Sequence, residues 1–267
     1  MTAAVVTPTK RRLGLGVIVP PIVVGVVALL GWELAVNVFD IQKFLLPKPS
    51  AIWQALADDW SVIWDGAQKT GWVAISGLIV GVFIAVALAL ACARFRWVAG
   101  AATPLAAALA ATPIVALAPI YFKWFGQVEP TAKQAVVVTV VVFPVFVATS
   151  RGLLEVDPIH LELMRSYAVG EWRVLREVRV PNALPFFFTS LKVAASLAVI
   201  AAIVSEYFGG EQGTLGTIIT QSAGLSRYDR AWAAVFAACV LGMALYLLVN
   251  LMERLALSWH PSVRGAR

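Results

Sequence analysis

Residues 70–93 read TGWVAISGLIVGVFIAVALALACA, with Lys69 immediately before them and Arg94 immediately after. A helix needs about 20 predominantly apolar residues to cross the hydrocarbon of a bilayer. Lipid offers no partner to a backbone amide, so a spanning segment must satisfy its own, as a helix does. The run therefore predicts a transmembrane helix, and the rest of the chain repeats it.

Working outward, comparable apolar stretches cover residues 14–38, 98–120, 134–150, 184–205 and 231–253. The 134–150 stretch is short, so its Val-rich run with Pro144 spans only if the bilayer thins or the helix is packed. The expectation is an all-α polytopic membrane protein of about six transmembrane helices, read as one membrane domain over residues 1–267 with a polar tail at 1–12. Composition agrees: 60% of the 267 residues are hydrophobic and only 13% charged, half the charged share of an average soluble domain.

Lys and Arg placement predicts orientation. With six crossings, one side receives Lys10, Arg11, Arg12, Arg94, Arg96, Arg151, Arg165, Arg173, Arg176, Arg179, Arg254, Arg264 and Arg267. The other receives Lys43, Lys48, Lys69, Lys123, Lys133, Arg227 and Arg230. The bias places both termini in the cytoplasm. The run after Arg12 is too long for a signal-peptide h-region and ends without a cleavage pattern, so it reads as a first span. Trp32, Trp72, Trp97, Trp124, Trp232 and Trp259 fall near predicted helix ends, as interfacial indoles do.

Two connections exceed a turn. The outer one, 39–69, contains an amphipathic helix over Ala51–Trp64, with Ile52, Leu56, Trp60 and Ile63 on one face. The cytoplasmic one, 151–183, begins a helix with Asp157 as N-cap and Pro158 at the first helical position. Leu161, Met164, Tyr167 and Ala168 recur at helical spacing, and the helix should end near Gly170. A second helical stretch, Glu171–Arg179, leads to Pro181 and Pro185. Such a helix suits docking into a partner's groove; a helix lying on the membrane surface accounts for it equally.

Several chemistries are excluded. The net charge of +6 flanks apolar runs rather than forming an aromatic-studded basic patch, so no nucleic-acid partner is expected. Cys92 and Cys239 sit in apolar runs without metal or redox spacing. His160 and His260 lie in cytoplasmic segments, so no catalytic or metal constellation occurs in the spans. No phosphate-binding GxxxxGK[ST] sequence is present.

The cytoplasmic loop resembles the permease subunits of bacterial ATP-binding-cassette importers. Their signature there is Glu-Ala-Ala, three residues, Gly, nine residues, Ile-x-Leu-Pro. Val178-x-Val180-Pro181 fits the end, Ala168 occupies the glycine slot, and Glu162-Leu163-Met164 occupies the Glu-Ala-Ala slot. Thr112-Pro113-Ile114-Val115-Ala116-Leu117-Ala118-Pro119 with Trp124-Phe125-Gly126 resembles the third span of the nitrate, sulfonate, taurine and pyrimidine-precursor branch. Ser205-Glu206-Tyr207-Phe208-Gly209, Gly213-Thr214-Leu215-Gly216 and Leu46-Pro47-x-Pro49-Ser50 resemble further segments of it.

The resemblance implies the type I importer permease fold and a subunit without catalytic residues or cofactor. ATP and Mg would be held by a separate cytoplasmic ATPase pair. The further partners implied are a second permease copy, giving a homodimer, and an extracytoplasmic substrate-binding protein. Asp157, Glu162, Met164, Arg165, Tyr167, Ala168, Gly170 and Pro181 would then form the ATPase-coupling site, with Glu162 accepting a charge-assisted hydrogen bond from the ATPase.

Pro113, Pro119, Glu206, Gly213 and Gly216 are candidates for the pathway or its outer gate. Proline breaks in a membrane line a cavity or a packed interface. Glu206 reads either as a gate or binding-protein contact or as an interfacial carboxylate. Residues 210–226 read either as a re-entrant stretch or as an exposed loop. Glu33 and Lys192 are intramembrane ionisable groups expected to be structural, reaching toward the interfaces. With only Lys192 in the predicted spans, a small organic or aromatic cargo is favoured over an inorganic anion. The competing class is a secondary transporter or channel without an ATPase, which would commonly show inverted repeats and midplane acids.

Overall fold

The structure, a computed structural model, describes residues 15–95, 104, 108, 112–126 and 130–257. Among them it is all helical. The helices are α1 Leu15–Val38, α2 Pro49–Asp58, α3 Trp60–Arg94, α4 Ile114–Phe125, α5 Pro130–Leu154, α6 Pro158–Ser166, α7 Glu171–Val174, α8 Val180–Glu206, α9 Leu215–Gly224 and α10 Tyr228–Ala256. A π-helical turn, Leu175–Arg179, joins α7 to α8, so Glu171–Glu206 forms one long rod. Among the described residues, five segments are long and apolar enough to span: Val19–Val38, Trp60–Arg94, Pro130–Leu154, Glu171–Glu206 and Tyr228–Ala256. Most of the expected 98–120 span lies outside the described residues, as do the 1–12 tail, Arg96, Trp97, Trp259, His260, Arg264 and Arg267. The described remainder of that span is the short apolar helix α4.

Three expected boundaries are corrected. The outer amphipathic helix ends at Asp58, and Trp60 and Ile63 belong instead to α3, which runs for 35 residues. The 134–150 span extends to 25 residues despite Pro144, so it needs no thinned bilayer. The fifth span begins well before residue 184, because Pro181 does not break the rod. Proline removes an amide and crowds the carbonyl four residues back, and a local π adjustment accommodates this; the Val180 N–H donates to the Leu175 carbonyl within that turn.

α5 packs chiefly between α3 and α8, with α10 against α8. Lipid tails are as apolar as side chains, so helices associate in a membrane through close packing rather than a hydrophobic drive. Small residues provide the approach. Ala194, Ala195, Ala198, Ala201 and Ala202 of α8 are buried, as are Val136, Val137, Val141 and Val145 of α5. A Cβ at Gly77 would fall 2.6 Å from Val137 Cβ, and one at Gly81 would fall 3.0 Å from Val141 Cγ1. Large apolar side chains such as Ile79 and Phe83 face outward. α1 is peripheral: of its described side chains only Val36 is buried, and Trp32 meets Trp232 edge-on at 5.9 Å.

Two intramembrane charges, Lys192 and Glu33, have polar partners. Lys192 Nζ lies 2.8 Å from Glu253 Oε2, a half-buried ion pair bridging α8 and α10. Glu33 accepts from Ser50 Oγ at 2.7 Å and Ser50 N at 3.1 Å, which ties α1 to the start of α2.

Replacing Gly77 by Leu should destabilise the protein by about 1–3 kcal/mol through overpacking. Gly25→Leu, where an added Cβ meets nothing within 4 Å, should be neutral. Thermal unfolding of both variants in detergent checks the contrast.

Candidate functional site

The 151–183 loop stands on a fixed base. Asn182 Nδ2 donates to the carbonyls of Gly152 (2.8 Å) and Glu155 (3.2 Å), satisfying the end of α5. A Cβ at Gly152 would fall 2.6 Å from Ala183 Cα, so α5 and α8 touch backbone to backbone there. Arg179 Nη1 donates to Ala93 O at 3.4 Å, and Arg94 lies 3.6 Å from Glu171, which joins the base to α3.

α6 projects from this base. Asp157 Oδ1 accepts from Ile159 N at 2.9 Å, the predicted N-cap. The helix stops at Ser166, earlier than the expected end near Gly170. Val169 N donates to Met164 O (3.1 Å) and Ala168 N to Arg165 O (2.9 Å). This bonding pair is a Schellman motif, whose turning residue adopts a left-handed conformation that favours glycine. Ala168 occupies that position with φ +50°. The backbone thus explains the glycine slot of the sequence signature, and alanine there carries strain.

No side chain of α6 is buried. Ile159, Leu163, Tyr167 and Trp172 are exposed, Tyr167 at 73% and Trp172 at 76%. Met164 is half-buried, while Glu162, Arg165 and Gly170 are exposed. The Glu162 carboxylate has no hydrogen bond or ion pair among the described residues. The structure therefore gathers the coupling-loop candidates into one presented surface, except Pro181, which lies inside the rod.

The opposite end of the bundle holds Glu206, Gly213 and Gly216. Glu206 is 1% exposed, its carboxyl enclosed by protein. Its Oε2 accepts from Gly216 N (2.8 Å) and Thr70 Oγ1 (3.1 Å). Thr70 Oγ1 also accepts from Leu215 N at 3.0 Å. Residues 215–224 form neither an exposed loop nor coil: Thr214 caps α9 through a capping box with Thr217, and Leu215, Gly216, Thr217, Ile218 and Ser222 are buried. Gly216 is required by contact, since a Cβ would fall 2.6 Å from Glu206 Cβ. Gly213 turns the chain with φ +77°. Pro113 precedes α4 and Pro119 lies within it, both exposed. Sequence reasoning missed Asn182, Thr70 and Lys133; the last, assigned to an outer loop, is 3% exposed within α5.

Residues 77–257 match the family described as binding-protein-dependent transport system inner membrane component. The chain belongs to this family. It is a multi-pass inner-membrane permease subunit of an ABC importer. It is 30% identical over 235 residues to the riboflavin transport system permease protein RibX of Chloroflexus aurantiacus, covering 86% of each chain. It is 29% identical over 231 residues to the formylaminopyrimidine transport permease protein ThiX of Halalkalibacterium halodurans, covering 85% of this chain and 90% of that one. The crystal structure of an amino acid ABC transporter with histidines shares the fold, with a TM-score of 0.62 at 18% identity over 75% of this chain and 97% of that one.

The Schellman geometry predicts that Ala168→Gly preserves assembly and raises stability by up to about 1 kcal/mol, whereas Ala168→Val lowers it. Melting temperatures of the three proteins in nanodiscs check this order.

Proposed function

We propose that two copies of this chain form a translocation pathway, with both termini and the 151–183 loop in the cytoplasm. An extracytoplasmic binding protein delivers cargo to the opposite end. A separate ATPase pair binds ATP and Mg and docks on α6, and this chain holds neither. Closure of the ATPases pushes α6, and the pathway alternates between inward- and outward-facing forms.

The observation that carries this reading is α6 itself. It is a capped helix with no buried side chain, standing on a base bonded to α3, α5 and α8. A membrane-surface helix would need its apolar residues on one face and its basic residues at the rim. Here Glu162 stands unpaired between exposed Ile159, Leu163 and Tyr167, a mixed surface that suits an amphipathic protein groove.

The proposed cargo is a small organic nutrient, with an uncharged or aromatic compound favoured. Riboflavin and formylaminopyrimidine, in the names of the relatives above, are of this kind.

Reversing the charge with Glu162→Arg should reduce recovery of the co-expressed ATPase with the permease at least about tenfold, the loss of a charge-assisted hydrogen bond. The permease should remain folded in the membrane. Undiminished recovery with full transport-coupled hydrolysis would remove Glu162 from the coupling role. Failure of even the unaltered chain to retain an ATPase would remove the docking proposal.

A further inference from the structure

Helices α8, α9 and α10 border a cavity of about 520 Å³. That volume falls within the roughly 300–1,000 Å³ of small-molecule sites. None of its described lining residues is charged. Ser196 and Tyr207 of α8 and Tyr246 of α10 bring hydroxyl groups to it, and the remaining lining is apolar. Tyr207 directly follows Glu206 at the end of α8. Ser196 lies about 15 Å further into the bundle and Tyr246 about 27 Å from the start of α10, at 1.5 Å per residue. The cavity therefore runs from the Glu206 end toward the middle of the spans.

A hydroxyl at that depth needs a partner, and lipid tails offer none. Elsewhere in the bundle the chain supplies one. Ser190 of α8 donates to Phe187 O at 2.8 Å and Ser205 to Ala202 O at 2.6 Å. Tyr121 pairs with Thr139 at 2.9 Å. Ser196, Tyr207 and Tyr246 make no such bond among the described residues. An acyl chain in the cavity would leave all three hydroxyls unsatisfied. A charged molecule would find no counter-ion there. A flat ring with donors and acceptors at its edge would serve the hydroxyls, while its faces met apolar side chains and tyrosine rings.

We infer that this cavity is a cargo site for an uncharged, planar heteroaromatic molecule, bound through the hydroxyls of Ser196, Tyr207 and Tyr246. This rests on the reading of the chain as a permease for a small organic nutrient. It adds the place where the nutrient is held and the chemistry that recognises it.

Two features of the cavity make it testable. Cys239 lines it and is exposed, whereas Cys92 is buried. Gly242 also lines it, and a Cβ there would meet nothing within 4 Å, so a larger side chain fills the cavity without disturbing the bundle. The full-length permease in nanodiscs is treated with N-ethylmaleimide, and the alkylation rate of Cys239 is followed by peptide mass spectrometry. Riboflavin and thymine serve as neutral ring probes, and riboflavin 5′-phosphate as the charged one. A neutral ring should slow alkylation several-fold, and the phosphate should not. Gly242→Leu should abolish the protection, each rate being compared with that of the same variant without probe, and should leave the melting temperature unchanged. Ser196→Ala and Tyr246→Phe should each raise the half-protecting concentration about threefold, the loss of one neutral hydrogen bond. No protection by either neutral ring, equal protection by the phosphate, or protection that survives Gly242→Leu would overturn the assignment. So would a Cys239 that is unreactive before any probe is added, which would show the cavity filled by lipid or covered by a second copy. No ATPase is present in this assay, so its failure is distinct from a failure of ATPase recovery.

Discussion

A polar group in hydrocarbon must find its partner inside the protein, and this single constraint organises the molecule. It forces the backbone into helices. It also accounts for the hydroxyls that bond back to their own helix, such as Ser76 to Trp72 O and Thr139 to Ala135 O, and for Lys192 meeting Glu253. Once helices are obligatory, only close packing can hold them together. The Gly77 and Gly81 contacts with α5 and the alanine face of α8 follow from that.

The constraint is relaxed at the two ends of the bundle. The 151–183 loop leaves α6 without a buried side chain, although its own base is bonded to three helices. A surface so presented, on a base so fixed, is the one proposed above to meet the ATPase. At the other end the same constraint is met only in part, because Glu206 has one oxygen bonded and one buried without a partner. The rod from Glu171 to Glu206 connects the two sites in one covalent element.

The spans were legible because a charge-free run such as residues 70–93 admits one structure in lipid. The Asp157 cap was legible for a similar reason, since Asp-Pro before a helical pattern has few other uses. The end of α6 was not. Ala168 has no intrinsic tendency to turn left-handed, and only the glycine slot of the signature hinted at it. The burial of Lys133 was not legible, because a lysine at the edge of an apolar run ordinarily marks an exposed interface, and the turn that covers it, at Gly210, lies far along the chain. The split of the outer helix at Asp59 and the continuity through Pro181 are likewise set by tertiary packing and local π geometry, which hydropathy does not encode. The family membership confirms the importer permease that the loop signature implied.

The account depends most on which face of the membrane carries α6. The direct measurement is labelling of single cysteines, Tyr167→Cys and Leu225→Cys, introduced into a Cys92→Ser, Cys239→Ser background, by a membrane-impermeant maleimide in intact and permeabilised cells. Both positions are exposed, and they belong to opposite ends of the bundle. The account predicts that Leu225→Cys reacts in intact cells while Tyr167→Cys reacts only after permeabilisation. The reverse pattern would place the coupling loop outside, beyond reach of any cytoplasmic ATPase, and would contradict it.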